Sequence, residues 1–379
     1  GGKGLDLVLL SWTWKRVGPV LMSLFGGGGT SGLHNPNGDI LVQQCPNDGV
    51  QELRFSPSSL APKNFLVAGS WDGEVRCWEV QGNGQTSPVG MYKHDGPVLS
   101  VAWSADGQAV FSAGADQLAK MWNPVTNQAV PIAKHDGVIR HIFYIPDMGN
   151  GSPAVVTGSW DKSVRFWDVR APTGTPMGTV PVSERIYAMD VRGPLMVVGT
   201  AERKIYVFDI RSPSRPYSDK FSQLKYQTRC ISTFPDQTGF AVGGVEGRVS
   251  IDHVREADRP NDFAFKCHRD TDGSIYAVNS ISFHEGYGTF ATAGSDGAFN
   301  FWDKDSRNRL KQFHKLDQPI MSTAFNHDGT IFGYSVGYDW SKGAESHDPA
   351  NAKNYILLHS VRENEIQSRK GNQNNNRRR

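Results

Sequence analysis

Apolar and polar residues alternate along most of this chain in short runs, at the two-residue period of strands rather than the 3.6-residue period of helices. Val75, Cys77 and Glu79 alternate with Arg76, Trp78 and Val80, and Val164-Arg165-Phe166-Trp167 repeats the habit with β-branched and aromatic residues. Further strand-like runs end in Gly- or Asp-rich turns: VLSVAWSADG, NSISFHEGYG and MSTAFNHDG. The runs also recur as units. GSWDGEVRCWEV (69–80) and GSWDKSVRFWDV (158–169) are near copies, and AGADQLAKMWNPV (113–125) and AGSDGAFNFWDKD (293–305) follow the same plan. VGTAERKIYVFDI (198–210) and VGGVEGRVSIDHV (242–254) are weaker copies. The position of Trp78 recurs at Trp122, Trp167, Phe208, Asp252 and Trp302, at spacings of 44, 45, 41, 44 and 50 residues. That is the period of a four-stranded propeller blade. An irregular last copy, IFGYSVGYDW (331–340) followed by the strand Tyr355–His359, makes seven.

The copies carry the WD-repeat pattern, so the expected fold is all-β, a seven-bladed WD-repeat β-propeller. An open array would expose strand edges, so the ring must close. The spare strand Ile40–Gln44 ahead of the first full repeat is expected to complete the seventh blade against Tyr355–His359. His94, Ser112, Asp116 and Trp122 recur at matching offsets as His135, Thr157, Asp161 and Trp167. With an insertion they recur again as His268, Thr292, Asp296 and Trp302. A Ser-His-Asp set invites a hydrolase reading. A catalytic set is needed once, however, and this one occurs three times. The expected role is therefore a structural hydrogen-bond network that pairs buried polar groups. Phosphate-binding loops, zinc-protease helices and nucleophile elbows are all missing from the sequence, which argues against an enzyme and against any cofactor or metal.

Composition refines this. Forty-one glycines and 21 prolines among 379 residues demand many tight turns and exclude a helical bundle. The four cysteines, Cys45, Cys77, Cys230 and Cys267, are scattered, which fits a reducing intracellular compartment better than a disulfide framework. The net charge of +2 hides basic ends, +2 over residues 1–21 and +4 over 362–379, around a body of −4. Nucleic-acid binding therefore needs a local patch. Neither half of the apolar stretch interrupted by Lys15-Arg16 reaches the roughly 20 residues of a membrane span, so no membrane partner is expected. Met22 reads as the natural start. The expected organisation is a leader and Gly-rich flexible segment (1–38), the propeller (39–361) and a basic, Asn-rich disordered tail (362–379).

Two surfaces follow from the loops. The GSWD turns and the HDG loops open onto one face in WD-repeat geometry, and Trp71 and Trp160 sit in those turns with Tyr338 and Trp340 nearby. Exposed tryptophans on one rim mark a partner surface. Arg229, Arg248, Lys266 and Arg269 are expected to converge there on an inter-blade groove that suits an acidic peptide or a phosphate backbone. In DKDSRNRLKQFHK (303–315), five basic against two acidic residues make Lys304, Arg307, Arg309 and Lys311 the better nucleic-acid candidates.

Several segments together, FLVAGSWDGEVRCWEVQ, TGSWDKSVRFWD, KYQTRC, EGRVS, AFKCHR and YDWSKG, resemble the nuclear-pore mRNA export factor family over about residues 39–361. The resemblance implies a non-enzymatic adaptor at the nuclear pore and nuclear envelope rim, partly cytoplasmic, with no small-molecule substrate. It implies binding of the GLEBS segment of a Phe-Gly-repeat nucleoporin, and of RNA, in export of polyadenylated mRNA. The matching peptide positions are Arg229 and Arg248 with Lys266 nearby, and the RNA-linked groove matches Trp302, Lys304 and Arg307. The mitotic checkpoint propeller shares KYQTRC, EGR and AFKCHR and is the alternative; the twin GSWD turns and the long 81–90 linker favour the export factor. A ubiquitin-ligase substrate receptor is a further class, but the F-box-like element it normally brings is not seen.

Overall fold

The structure, a computed structural model, describes residues 33–170, 174–348 and 352–368. Among them the strands form seven four-stranded antiparallel sheets arranged as blades of a propeller. Blades 1 to 6 each take four consecutive strands, running inner to outer. Their inner strands are Val50–Phe55, Val98–Trp103, Ile139–Ile145, Ile186–Arg192, Thr228–Thr233 and Val278–Phe283. Blade 7 is built of Ile320–Phe325, Ile331–Val336 and Tyr355–Ser360, with Ile40–Leu41 as its outer edge. Each inner strand packs on the next all the way round, so the ring is closed.

The core lies between the blades because both faces of each sheet are apolar. Phe166 of blade 3 shares a cluster with Met189 and Phe208 of blade 4, and Ala324 and Leu358 of blade 7 share one with Leu53 and Leu66 of blade 1. Short polar side chains on the inner strands also cross these joints. The backbone N–H of Leu53 donates to Ser322 Oγ (3.1 Å), that of Val101 to Glu52 (3.2 Å), that of Ile142 to Ser100 Oγ (3.0 Å) and that of Thr323 to Ser280 Oγ (3.1 Å). Asp190 does the same for Thr233, at 2.7 Å from both N–H and hydroxyl. These hydrogen bonds satisfy backbone donors that no strand pairing reaches.

The closing strand is shorter than its sequence predicts. Ile40 and Leu41 pair with Leu358 and Leu357, and Val42 N–H adds a bond to Ile356 O (2.9 Å). Gln43 and Gln44 then leave the ladder for blade 1, where Trp78 Nε1 takes Gln43 O (2.9 Å) and Arg76 takes Gln44 O (2.6 Å). The left-handed backbone of Gln44 (φ 54°) makes that turn. The domain edges also move outward from 39–361. Leu33 packs on the blade 6–7 core, and Asn37 exchanges two hydrogen bonds with the His314 backbone. At the other end Glu363–Ile366 forms a short helix whose Ile366 is buried, and Ser368 donates to Asp303 (2.7 Å). Burial of one isoleucine and pairing of Glu365 hold residues that charge alone assigned to a disordered tail. Residues 1–32 and 369–379 lie outside the described residues.

Candidate functional site

The three recurring polar sets are hydrogen-bond networks, and two are complete. Trp167 Nε1 donates to Thr157 Oγ1 (2.8 Å), which lies 2.7 Å from His135 Nε2, while His135 Nδ1 sits 2.8 Å from Asp161. Trp302, Thr292, His268 and Asp296 repeat this at 2.9, 3.0 and 2.8 Å. Burial alone would raise the Asp161 carboxyl, but the His135 and Ser163 hydrogen bonds hold it well below the usual carboxylate range. His135 and His268 are fully buried, so neither network meets a substrate. Blade 2 departs from the expectation. His94 binds Asp116 (2.8 Å) and Ser112 (2.7 Å), but the Tyr92 hydroxyl takes the tryptophan's place on Ser112. Trp122 Nε1 turns instead to Asn127 Oδ1 (3.1 Å), with the Tyr92 ring packed on its own at 5.0 Å. A phenol two residues before the histidine outcompetes the indole for one small hydroxyl.

The face carrying the GSWD turns is where the chain's free chemistry collects. Glu74 pairs in register with Lys93, and Arg248 with Lys266, so in each blade the inner turn and the outgoing loop share one end. At this end every inner strand slips register by one residue, at Gln51, Leu99, Arg140, Tyr187, Arg229, Asn279 and Met321. Such a bulge re-aims the extra side chain. Seven equivalent bulges place these residues in one annulus around the channel mouth, and none of the seven is a carboxylate. Arg229 donates to Asn279 Oδ1 (3.1 Å) and reaches Asp339 O at 3.4 Å, and Arg140 donates to Leu99 O (3.1 Å). Neither has a carboxylate within ion-pair distance among the described residues. Enclosure pushes the Arg140 guanidinium down to about 10; Glu52 opposes that shift and Arg229 adds to it. Arg140 and Arg229 thus bring like charges to one annulus, a setting that an anion would relieve.

The expected peptide residues divide. Arg248 and Lys266 stand side by side on blade 5 with no carboxylate partner among the described residues. Arg269 is engaged in structure, donating to Glu246 O (2.8 Å). Trp71 donates to Gln51 of the annulus (3.1 Å) and packs on Trp340 at 5.1 Å. Trp340, left-handed at φ 62°, belongs to the loop whose Asp339 carbonyl Arg229 reaches, so Trp71 and Arg229 are linked through this loop. Asp339 is buried; Ser295 and Asn279 hold its carboxyl below the usual range against the opposing effect of burial. Trp160 stands apart in blade 3, with its indole N–H enclosed and unpartnered. Arg140, Tyr187 and Asn279 were not singled out from sequence. Their common signal is the second position of each inner strand, which only the register slip distinguishes from its neighbours.

The nucleic-acid candidates lie elsewhere. Asp303 pairs with Asn308 at the end of blade 6 remote from the Ser295–Gly297 turn, so Lys304 and Arg307 sit on the opposite face from the annulus. Arg307 lies over Phe263 (4.5 Å) and Arg309 over Trp302 (5.8 Å), a cation-and-ring surface that can stack bases. Trp302 has its N–H committed to Thr292 and offers only its ring. Lys304 pairs with Asp305 (2.8 Å) and Lys311 approaches Glu365 at 3.8 Å, so both are partly neutralised.

Comparison with known proteins places these features in a family. Segments 39–79, 86–123, 132–168 and 263–303 match the WD domain, G-beta repeat. The chain is 44% identical to the "mRNA export factor GLE2" of Chaetomium thermophilum, over 90% of this chain and 95% of that protein. It is 44% identical to the "Poly(A)+ RNA export protein" of Schizosaccharomyces pombe, over 92% and 99%. It is 47% identical to "Protein RAE1" of Arabidopsis thaliana, over 92% and 97%.

Proposed function

The chain belongs to the family of WD-repeat mRNA export factors, and from that membership we propose that it is a non-enzymatic adaptor in nuclear export of polyadenylated mRNA. On this reading it binds the GLEBS segment of a Phe-Gly-repeat nucleoporin on the annulus face and RNA on the side of blade 6. It works at the nuclear pore and nuclear envelope rim, and partly in the cytoplasm. The observation that carries the peptide assignment is the set of cations without carboxylate partners on one face among the described residues, Arg140, Arg229, Arg248 and Lys266. An acidic segment supplies what these groups lack. The RNA assignment rests on Arg307 and Arg309 lying over aromatic rings on the other face.

Two titrations on folded variants test both halves. Arg229→Glu or Arg248→Glu removes a charge-assisted hydrogen bond and sets a like charge against the peptide's carboxylates. Losing one member of a desolvated pair costs about 2–5 kcal/mol, or roughly 30- to 4,000-fold in affinity for the GLEBS peptide. Lys304→Glu with Arg307→Glu is expected to spare the peptide, weaken RNA, and flatten the salt dependence of RNA binding by about 0.7 for each phosphate no longer engaged. If both variants bind both ligands like the parent, the assignments fail.

A further inference from the structure

The turn joining the third and outer strands of blade 4, Lys204–Asp209 and Ser218–Phe221, carries Arg211-Ser212-Pro213-Ser214-Arg215-Pro216. Pro213 is half-buried; the other five, and Tyr217 after them, are exposed. The start of the turn is fixed. Arg211 donates to the Asp209 carboxylate from its backbone N–H (3.0 Å) and from Nε (2.9 Å), and Ser212 N–H donates to Asp209 O (3.0 Å). Backbone pairing then stops until Tyr217 N–H reaches Val207 O (2.7 Å). Among the described residues, neither the Ser212 and Ser214 hydroxyls nor the Arg215 guanidinium has a partner. Pro213 lines a surface cleft of about 260 Å³ with Met148, Phe166 and Met177, and it belongs to no core cluster. A segment with so few bonds lifts away from the blade at low cost.

Ser-Pro or Thr-Pro steps occur five times in the chain, at Ser56, Ser87, Ser152, Thr175 and Ser212. Three residues further on stand Ser59, Gly90, Val155, Gly178 and Arg215, so Ser212 alone has a cation there. Ser56 is buried under the Phe65 N–H (3.0 Å), and Ser87 lies inside a strand. Blade 3 builds the same Asp-x-Arg corner with Asp168 and Arg170, and its sequence continues with Ala171-Pro172. The corner therefore needs no hydroxyl, and that of Ser212 is spare. The following proline biases Ser212 to extended backbone and offers no N–H of its own. We propose that Ser212 is a phosphorylation site for a proline-directed serine/threonine kinase that recognises the Arg215 cation. Ser212 Oγ attacks the γ-phosphorus of magnesium-bound ATP, the bond from phosphorus to the ADP oxygen breaks, and the hydroxyl proton passes to the kinase's catalytic aspartate. The new group brings a charge of about −1.5 to −2 beside Asp209 and competes with it for Arg211. The Arg211 stem lies against Gly149 of blade 3, where an added Cβ would stand 3.0 Å from Arg211 Cγ, so the modification acts at the joint of blades 3 and 4. Lys204 and Phe221 mark the annulus end of the same hairpin, so a kinase reaches Ser212 from the opposite face.

The test incubates the full chain and its Ser212→Ala, Ser214→Ala and Arg215→Ala variants with a recombinant cyclin-dependent kinase, magnesium and ATP. A synthetic peptide of residues 207–219 runs in parallel. Phosphate is located by tandem mass spectrometry, and thermal unfolding checks that each variant, altered only at an exposed position, is folded. Support consists of phosphate on Ser212 of the folded chain, none in Ser212→Ala, a parent-like rate in Ser214→Ala, and a rate about tenfold lower in Arg215→Ala through loss of a charge-assisted contact. Phosphorylation of the peptide but not of the folded chain overturns the proposal, because the turn then stays closed. Phosphate on Ser214 in place of Ser212 overturns the site, and a parent-like rate in Arg215→Ala overturns recognition of the cation.

Discussion

Thr157 serves two buried neighbours with one hydroxyl: it accepts from the Trp167 indole and lies against His135 Nε2. With His135 Nδ1 donating to Asp161, Nε2 is the acceptor and the threonine O–H donates to it, so every member of the chain is satisfied. Thr157→Val therefore leaves two fully enclosed groups unpaired, at about 1–3 kcal/mol each. Asn127→Ala in blade 2 strands only the Trp122 N–H beside an exposed loop where water can replace the amide, and is expected to cost about 1 kcal/mol or less. Urea midpoints at unchanged m-value compare the two; equal losses would mean that the networks do not act as units. The depressed Asp161 carboxyl has a definite pH signature. Its contribution is present above the unfolded value of about 3.9 and is lost as pH falls through the lower folded value. The stability gap between the parent and Asp161→Ala should narrow below about pH 4.

Strands acquire a further constraint where the chain ends meet. His359, on the last strand, places Nδ1 2.7 Å from Asp39 and Nε2 3.1 Å from Glu365 of the terminal helix, and Tyr334 donates to Asp39 (2.6 Å). One imidazole thus fastens the entering segment, the closing blade and the terminal helix. Burial opposes its charge, but the two carboxylates outweigh burial and raise its pKa above the ordinary histidine value. The sign is opposite to that of Asp161. This contribution is full below the unfolded value of about 6.5 and is lost as pH rises through the higher folded value. The parent should lose thermal stability relative to His359→Gln as pH climbs from about 6 to 9. Parallel pH profiles of the two proteins would mean that the imidazole stays neutral.

For the whole molecule, stability depends on every joint, because a ring with one open joint exposes two apolar blade faces at once. Ile40–Leu41 closes that ring through only two register pairs and the Val42 bond, yet Asp39, Val42 and Leu33 around it are tied into blades 6, 7 and 1. Removing residues 1–21 is expected to leave the melting temperature unchanged. Removal through Gln44 also deletes Asp39 and the Gln43 carbonyl that receives Trp78, and is expected to lower it by several degrees or more. Scanning calorimetry on both truncations decides it, and equal melting temperatures would refute closure by this strand. The ring also keeps the two proposed partner surfaces apart, with the annulus on one face and the Lys304–Arg307 turn on the other. On the proposed reading, this separation would let peptide and RNA be carried together.

Strand periodicity, the repeat length, the count of blades, the pairing of the entering segment with the Tyr355–His359 strand, and the complete networks of Trp167 and Trp302 were legible in the sequence. Each is written locally, as alternation along a strand or as a spacing repeated with every blade. Three things were settled only by tertiary packing. Tyr92 displaced Trp122 from Ser112 because two large side chains competed for one small hydroxyl, and their reach depends on the folded blade. Glu363–Ile366 packed against the propeller because burial of Ile366 and the Glu365–His359 contact outweigh a polar, basic composition. Arg140 and Arg229 entered one annulus because a single-residue bulge at the start of an inner strand changes where a side chain points. Alternation identifies a strand but not the residue at which its register slips, and the slip is made by pairing with a neighbouring strand.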